Sequence, residues 1–172
     1  MLERTGRASA SGCAAQIDGP GNQHLNDDID EHTTLSLKNE LAELERLGEV
    51  VAAFGARCAW PSSVVQDVEL ALDEVVTNII SYAWDDDGRH DIHVRLQSSI
   101  AAITVEVEDD GRPFDPVTAP EAVTSGAAHE RPIGGLGWYL VRSVMDELAY
   151  RRESGHNIVT MRKHAKAARE VG

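Results

Sequence analysis

The 172-residue chain lacks several features that would assign it to a broad class of proteins. Of its two cysteines, Cys13 lies in a polar N-terminal stretch and Cys58 ends an amphipathic segment, so we expect no disulfide between them. No apolar run approaches the roughly 18 to 20 residues that span a bilayer, and the N-terminus has no apolar core typical of a signal peptide. We therefore expect a soluble, cytoplasmic protein without a membrane partner.

Basic residues are also scarce, because 16 Lys and Arg stand against 29 Asp and Glu and give a formal net charge of −13. Nucleic-acid binding depends on clustered Lys and Arg, and the chain has only short basic pieces near its C-terminus. No nucleic-acid partner is expected, whereas a basic protein partner would suit the acidic surface. Among seven histidines the closest pair, His90 and His93, has neither a Cys partner nor a His-Glu-x-x-His helix, which argues against a histidine metal site.

The distribution of apolar residues predicts one folded domain over residues 31–165. Residues 1–30 have no apolar period and predict a flexible extension, and residues 166–172 form a short tail. Alternation predicts a strand over His32–Lys38, followed by an amphipathic helix that Asn39 caps and whose apolar stripe begins at Leu41. A second helix starts around Pro61, with Ser62 or Ser63 as its cap, and ends near Tyr82.

The second half of the chain predicts two hairpins around one helix. Residues 91–97 and 101–109 alternate with period two, and a short connection joins them. Glycine and proline then interrupt residues 111–136, a helix extends to Leu148, and two strands close the chain around a turn at Ser154 and Gly155. This order predicts an α+β fold, a two-layer α/β sandwich with a mixed, mostly antiparallel sheet and helices on one face.

The helix around residues 70–84 carries two polar residues beside its apolar side. On a helical wheel Asp73 lies on the solvent face, Val75 and Ile79 lie in the core stripe, and Glu74 and Asn78 lie on the border between them. A carboxylate at a partly desolvated border can act as a general base, and an amide oxygen is a hard ligand suited to Mg²⁺. The spacing of four residues places both side chains on one face.

Two further stretches carry chemistry of the same kind. A strand ends in Asp109, Asp110 and Gly111, and a glycine-rich turn at residues 134–137 opens the third helix. Glycines permit close approach to a phosphate, and the free N–H groups of a helix N-terminus favour an anion. Either stretch alone also fits an ordinary turn or a flexible loop.

Taken in order, the three stretches resemble the nucleotide site of the GHKL ATPase superfamily, whose fold is the Bergerat, or histidine kinase-like, fold. The helix matches the Glu-x-x-x-Asn box, Asp109-x-Gly111 matches the Asp-x-Gly-x-Gly box, and Gly135-Leu136-Gly137 matches the Gly-x-Gly box. The segments ELALDEVVTN, DDGRPFDP, GGLGWYLVRSVMDE and GHNIVTMRK more narrowly resemble the anti-sigma factor serine-protein kinases of the RsbW type. The resemblance covers about residues 33–164.

The resemblance implies ATP and Mg²⁺ as cofactors and gives each site residue a role. Glu74 would be the catalytic base that takes the proton from a protein serine or threonine, and Asn78 would hold Mg²⁺. Asp109 would accept the adenine amino group, and Gly111 would let the base approach. Residues 115–133 would form a lid over the triphosphate. The phosphates and the adenine side would be contacted by Gly134, Gly135, Leu136, Gly137 and Thr160.

The resemblance also implies partners. The kinase would phosphorylate a STAS-domain anti-sigma factor antagonist, sequester a sigma factor or another regulatory target, and form a homodimer. The sequence departs from the pattern at Pro113, where the second glycine of the Asp-x-Gly-x-Gly box would stand, and its candidate phosphate-binding cations are Arg131 and Arg142. Two alternatives stay open: a nucleotide-gated binding protein with little kinase activity, and a partner-switching kinase that controls a non-sigma target.

Overall fold

The computed structural model describes residues 29–118 and 135–164. Residues 1–28 of the predicted N-terminal extension, most of the predicted lid, Gly134 and the C-terminal tail lie outside these residues, whereas Ile29 and Asp30 belong to the first strand, which begins earlier than predicted. No helix in the two described ranges is long and apolar enough to cross a membrane. The elements are β1 (Ile29–Lys38), α1 (Glu43–Arg57), α2 (Ser62–Tyr82), β2 (Asp91–Ser99), β3 (Ala102–Asp109), α3 (Gly135–Val144), β4 (Glu147–Glu153) and β5 (His156–His164).

The five strands form one sheet in the order β1-β2-β3-β5-β4. Every pairing between described strands is antiparallel. The prediction of a mostly antiparallel sheet is confirmed, but the described pairings include no parallel one. β2 and β3 form the predicted hairpin, but β2 continues through Ser98 and Ser99, which the sequence had assigned to the connection. The predicted turn at Ser154 and Gly155 is confirmed, and both residues have positive φ.

One face of the sheet is apolar and carries the helices. Alternate residues of β2 and β3, such as Ile92, Val94, Val105 and Val107, are buried in a single core with residues of α1, α2 and α3. The residues between them on the strands are polar and lie on the opposite face. The predicted α+β class, with two layers and helices on one face, is confirmed.

The predicted helix caps are wrong. α1 begins at Glu43 after Ala42, and α2 begins at Ser62 after Pro61, in both cases without a side-chain cap hydrogen bond. Asn39 makes a long-range contact instead: its Nδ2 donates to Gly88 O, and its Oδ1 accepts from His90 N, both at 3.0 Å. Because α1 starts late, Leu41 lies outside the apolar stripe and is 60% exposed.

The third helix is shorter than predicted. α3 ends at Val144, whose carbonyl oxygen accepts a hydrogen bond from Lys163 Nζ at 2.6 Å. Asp146 N donates to Arg162 O at 2.9 Å, and Leu148 pairs with Met161 in the sheet. The chain leaves the helix here because β5 offers a free edge for pairing, which the apolar period alone does not reveal.

Candidate active site

Helix α2 forms one wall of the site and orients its polar pair as the sequence predicts. Its inward residues, including Leu72, Val75 and Ile79, are buried, and Asp73 is exposed. Glu74 and Asn78 are both half-buried, which confirms their border position. The apolar stripe therefore fixes the rotation of α2 and holds the carboxylate and the amide at the edge of the core.

The amide of Asn78 is oriented by its own helix. Its Nδ2 donates to Glu74 O, one turn earlier, at 2.7 Å. Since Nδ2 faces the helix backbone, Oδ1 is the atom that remains for a ligand, and it makes no hydrogen bond to a described residue. The Glu74 carboxylate likewise makes no hydrogen bond or ion pair within residues 29–118 and 135–164. Both groups are available to a substrate.

The beginning of α3 lies directly against this pair. A Cβ atom built on Gly137 would stand 2.5 Å from Glu74 Oε2 and 3.0 Å from Asn78 Nδ2. Gly135 and Leu136 form the start of the same first turn. The N-terminal turn of α3 therefore lies beside the Glu74 carboxylate and the Asn78 amide, and a larger residue at position 137 would fill the space. This juxtaposition suits a phosphate with an accompanying cation.

The Asp109-x-Gly111 turn follows the end of β3. The buried Asp109 accepts a hydrogen bond from Gly111 N on its Oδ1 at 2.8 Å. Desolvation raises the pKa of the Asp109 carboxyl, and hydrogen bonds from the Asn157 side chain and from Gly111 N oppose this shift. Oδ2 makes no hydrogen bond to any residue in the described ranges. A ligand amino group is the natural partner of this remaining acceptor.

The same turn packs against the C-terminal end of α2. Arg112 N donates to Ala83 O at 2.8 Å. A Cβ atom on Gly111 would stand 2.5 Å from Ala83 Cβ and 2.7 Å from Ala83 O. With a rise of about 1.5 Å per residue, Glu74 and Ala83 are separated by about 13 Å along the α2 axis. Two groups of predicted site residues therefore lie at the two ends of one helix segment, an arrangement that suits an elongated ligand.

Asn157 on β5 is a site residue that the sequence analysis missed. It pairs with Asp109 across the sheet, is 4% exposed, and donates from Nδ2 to Asp109 Oδ1 at 2.8 Å. The signal was present in the sequence, because Asn157 is a polar member of an alternating row that continues with Val159 and Met161. Such a row faces the core, so a polar member of it calls for a specific partner.

Thr160 is not brought to the site. It pairs with Glu106 on β3, and both side chains lie on the sheet face opposite the helices. Its hydroxyl lies 3.3 Å from Arg151 Nη1 and 3.5 Å from Glu106 Oε1. Residue 160 differs from Asn157 by an odd number of positions, so the alternation of the strand turns it to the other face. Its predicted adenine contact does not fit this geometry.

The described beginning of the predicted lid is attached to α3. Arg142 Nη2 donates to Pro116 O at 2.5 Å and to Val117 O at 3.2 Å. The Phe114 ring packs at a tilt on the buried Trp138, with 6.0 Å between centroids. Arg142 therefore binds backbone carbonyls here and is not directed at a phosphate, while Arg131 and the rest of the lid lie outside the described residues.

The donor set fits Mg²⁺ only as a partner of a bound phosphate. The described residues contain no group of three or more His, Cys, Asp or Glu side chains that would hold a metal ion by themselves. Mg²⁺ retains water readily and is commonly bound through one or two protein oxygens together with substrate phosphates. The Asn78 amide lies beside the first turn of α3, and its Oδ1 would be the protein oxygen that such a cation needs.

Comparisons with known proteins identify relatives and a family for the chain as a whole. The chain is 28% identical to the serine/threonine-protein kinase BtrW of Bordetella bronchiseptica over 109 residues, which cover 63% of this chain and 77% of that protein. It is 26% identical to the serine-protein kinase RsbW of Listeria innocua over 129 residues, which cover 73% and 81%.

A crystal structure of the RsbU and RsbW domains of a Mycobacterium tuberculosis protein superposes with a TM-score of 0.57 at 15% identity, and it shares the fold. The match covers 83% of this chain and 35% of that one, so the chain spans about a third of the solved protein. Residues 37–163 match the family described as the histidine kinase-like ATPase domain. That match includes the three helices, most of the sheet and every described site residue, and the chain belongs to this family.

Proposed function

We propose that the protein is an ATP-dependent protein serine/threonine kinase of a partner-switching system. The observation that carries the proposal is the contact of Gly137, in the first turn of α3, with both Glu74 and Asn78. The contact brings the Glu74 carboxylate, the Asn78 amide and the first turn of α3 together, and the proposal gives them the roles of base, Mg²⁺ ligand and phosphate-binding turn. Two relatives named as serine or serine/threonine kinases support the same activity.

In the proposed reaction the protein supplies positioning and a proton acceptor. The Asp109 carboxylate accepts a hydrogen bond from the adenine amino group, and the N–H groups of the α3 turn bind the triphosphate. The serine hydroxyl oxygen attacks the γ-phosphorus, the bond to the β-phosphate oxygen breaks, and Glu74 takes the hydroxyl proton. Asn78 Oδ1 would hold Mg²⁺, which would neutralise phosphate charge. Phosphoserine and ADP leave.

We propose a STAS-domain anti-sigma factor antagonist as the phosphorylated protein and a sigma factor, or another regulatory target, as the sequestered one. A phosphate on the antagonist adds nearly two negative charges, and the formal charge of −13 on the kinase would then repel it. A cytoplasmic location and a homodimer belong to the same proposal. The names of the relatives support a serine substrate and leave the identity of the target to experiment.

The test compares wild type with Glu74→Gln, which keeps the shape of the side chain and removes its basicity. Each protein is incubated with ATP, Mg²⁺ and antagonist proteins encoded nearby, and phosphoserine is measured by mass spectrometry. We expect Glu74→Gln to bind ATP but to transfer phosphate roughly 10² to 10⁴ times more slowly. Asp73→Asn, one residue earlier on the exposed side of α2, is the matched control and should retain activity.

Two outcomes would contradict the proposal. Full phosphorylation by Glu74→Gln would show that another group accepts the proton. ATP binding without modification of any antagonist would favour the nucleotide-gated binding protein instead.

A further inference from the structure

We propose that Asn157 is the positioning residue that makes the base pocket selective for an amino-bearing base, because it holds Asp109 with one oxygen directed at the ligand. The inference rests on the proposed use of ATP and extends it to the determinant of base recognition. It is carried by a hydrogen-bonded cluster at the end of β3, β4 and β5, made of Asp109, Tyr150, Arg152 and Asn157.

The orientation of the Asn157 amide is fixed by its neighbours. Arg152 can only donate, and its Nη1 lies 2.5 Å from Asn157 Oδ1. A backbone carbonyl can only accept, and Arg112 O lies 3.0 Å from Asn157 Nδ2. The amide therefore cannot be reversed without two unfavourable contacts, and its NH₂ group must face Asp109 Oδ1 at 2.8 Å.

Two side chains of strand β4 donate hydrogen bonds to the oxygen of this amide. The Tyr150 hydroxyl donates to Asn157 Oδ1 at 2.9 Å, and Arg152 Nη1 also donates to Gly111 O at 3.1 Å. Arg152 pairs with Asn157 in the sheet, so the contact is built into the strand register. Side chains and backbone from three strands thus converge on the Asp109-x-Gly111 turn, and Asn157 is the residue that connects them.

The cluster determines what Asp109 can bind. Two N–H donors, from Gly111 and Asn157, occupy Oδ1, and this fixes the rotation of the carboxylate. Oδ2 then presents a single acceptor to the ligand. Adenine offers an amino group to such an acceptor, whereas hypoxanthine offers a carbonyl oxygen at the same ring position, which an ionised carboxylate repels. Without Asn157, Asp109 is free to rotate or to take a proton, and the discrimination weakens.

The pKa of Asp109 provides a second measurable quantity, the pH dependence of ATP binding. Burial raises the pKa of Asp109, the Asn157 hydrogen bond lowers it, and the charged groups acting on the carboxylate are Asp110, which raises it, and Arg152, which lowers it. Loss of the Asn157 donor removes a lowering contribution, so the pKa rises further. ATP binding that needs the ionised carboxylate should then begin to weaken at a higher pH than in wild type.

The experiment measures the affinities for ATP and for inosine triphosphate by titration calorimetry between pH 5 and 8. Asn157→Leu and Asn157→Asp both remove the donor to Asp109, and the second keeps the shape of the side chain. We expect wild type to prefer ATP, and we expect each variant to lose roughly 10-fold or more of the ratio of the two affinities. As the pH is lowered, the affinity for ATP should also begin to fall at a higher pH in the variants than in wild type.

Two controls separate positioning from folding. Ser98→Ala removes another buried polar side chain, which accepts a hydrogen bond from Trp60 Nε1 at the far end of β2, and it should change neither readout. Tyr150→Phe retains the Asn157 donor but removes a hydrogen bond that holds the Asn157 amide, so it should lower the ratio of the two affinities measurably, although less than Asn157→Leu does. It also keeps the test decisive if the Asn157 variants do not fold, because a Tyr150→Phe ratio equal to that of wild type would then overturn the proposal.

The failure of this inference differs from the failure of the proposed function. Wild type that binds neither nucleotide would contradict ATP use itself. Wild type that prefers ATP, together with an Asn157→Asp variant of unchanged ratio and pH profile, would overturn the role of Asn157 and leave the kinase proposal intact.

Discussion

Substitution of Gly137 by Ala is expected to leave the fold stable while it displaces the two side chains assigned to phosphoryl transfer. The new methyl carbon would lie 2.5 Å from Glu74 Oε2, 3.0 Å from Asn78 Nδ2 and 3.5 Å from Glu74 Cδ. Two of these separations are well below ordinary contact distance. The atoms met first belong to the end of a flexible side chain, so the carboxylate must move by about 1 Å to reach a normal separation.

The stability terms nearly cancel. Ala is favoured over Gly within a helix by up to about 1 kcal/mol, and Gly137 lies in the first turn of α3. Moving Glu74 away from its preferred rotamer costs about 0.5 to 1.5 kcal/mol. The net change in the free energy of unfolding should therefore lie within about 1 kcal/mol of zero, whereas a displacement of about 1 Å at a reacting group can lower the rate about 10²-fold. Activity should fall far more than stability.

Gly48→Ala is the matched control. Gly48 also lies within a helix, α1, and a Cβ atom there would meet nothing within 4 Å, so we expect about 1 kcal/mol of stabilisation and unchanged activity. Urea denaturation measures stability, and phosphoserine formation on an antagonist measures activity. A Gly137→Ala protein with the kinase activity of wild type would refute the assignment of Glu74 and Asn78 to the reaction.

Two further predictions concern the base end of the site. Gly111→Ala should lower the free energy of unfolding by about 1 to 3 kcal/mol in urea denaturation, because its Cβ meets the backbone oxygen of Ala83 at 2.7 Å and this atom cannot swing away; unchanged stability would contradict it. Asp109→Asn should abolish ATP binding in calorimetry, since an amide NH₂ replaces the acceptor, and it should be at least as stable as wild type near pH 8. The raised pKa of Asp109 means that the folded wild type gains stability as pH falls through that pKa, so any advantage of the variant should disappear at acidic pH. A variant that is less stable than wild type at pH 8 and more stable at pH 4 would show the opposite linkage.

The sequence revealed the part of the site that follows from helical periodicity. Glu74 and Asn78 lie at the edge of the core because the positions of Leu72, Val75 and Ile79 fix the rotation of α2, and this relation is local. The Asp109-x-Gly111 turn was equally readable, since it ends an alternating strand. Neither pattern indicates how the Glu74–Asn78 pair lies relative to the Asp109-x-Gly111 turn. That relation depends on the packing of Gly111 against Ala83.

The errors arose where a residue's partner lies far away in the chain. Asn39 is a residue type that commonly caps helices. Here its side-chain amide instead forms hydrogen bonds with the backbone of Gly88 and His90. Thr160 was assigned by resemblance alone, although the register that pairs Asn157 with Asp109 turns Thr160 to the opposite sheet face. Attention to the two-residue alternation of β5 would have selected Asn157 instead.

One buried polar side chain, that of Asp109, distinguishes the candidate site from the rest of the core. In the described part of the chain the buried polar residues are Ser98, Asp109 and Asn157. Ser98 is joined to Trp60, and the Asn157 amide is hydrogen-bonded on both its oxygen and its nitrogen. Asp109 alone among the three keeps an oxygen without a partner in the described residues, and burial disfavours its charged form. A fold selected for stability alone would gain from an amide or an apolar residue here, because burial disfavours the charged form of this carboxylate. The presence of the Asp109 carboxylate beside the hydrogen-bonded Asn157 is best explained by a ligand that donates a hydrogen bond to Asp109 Oδ2.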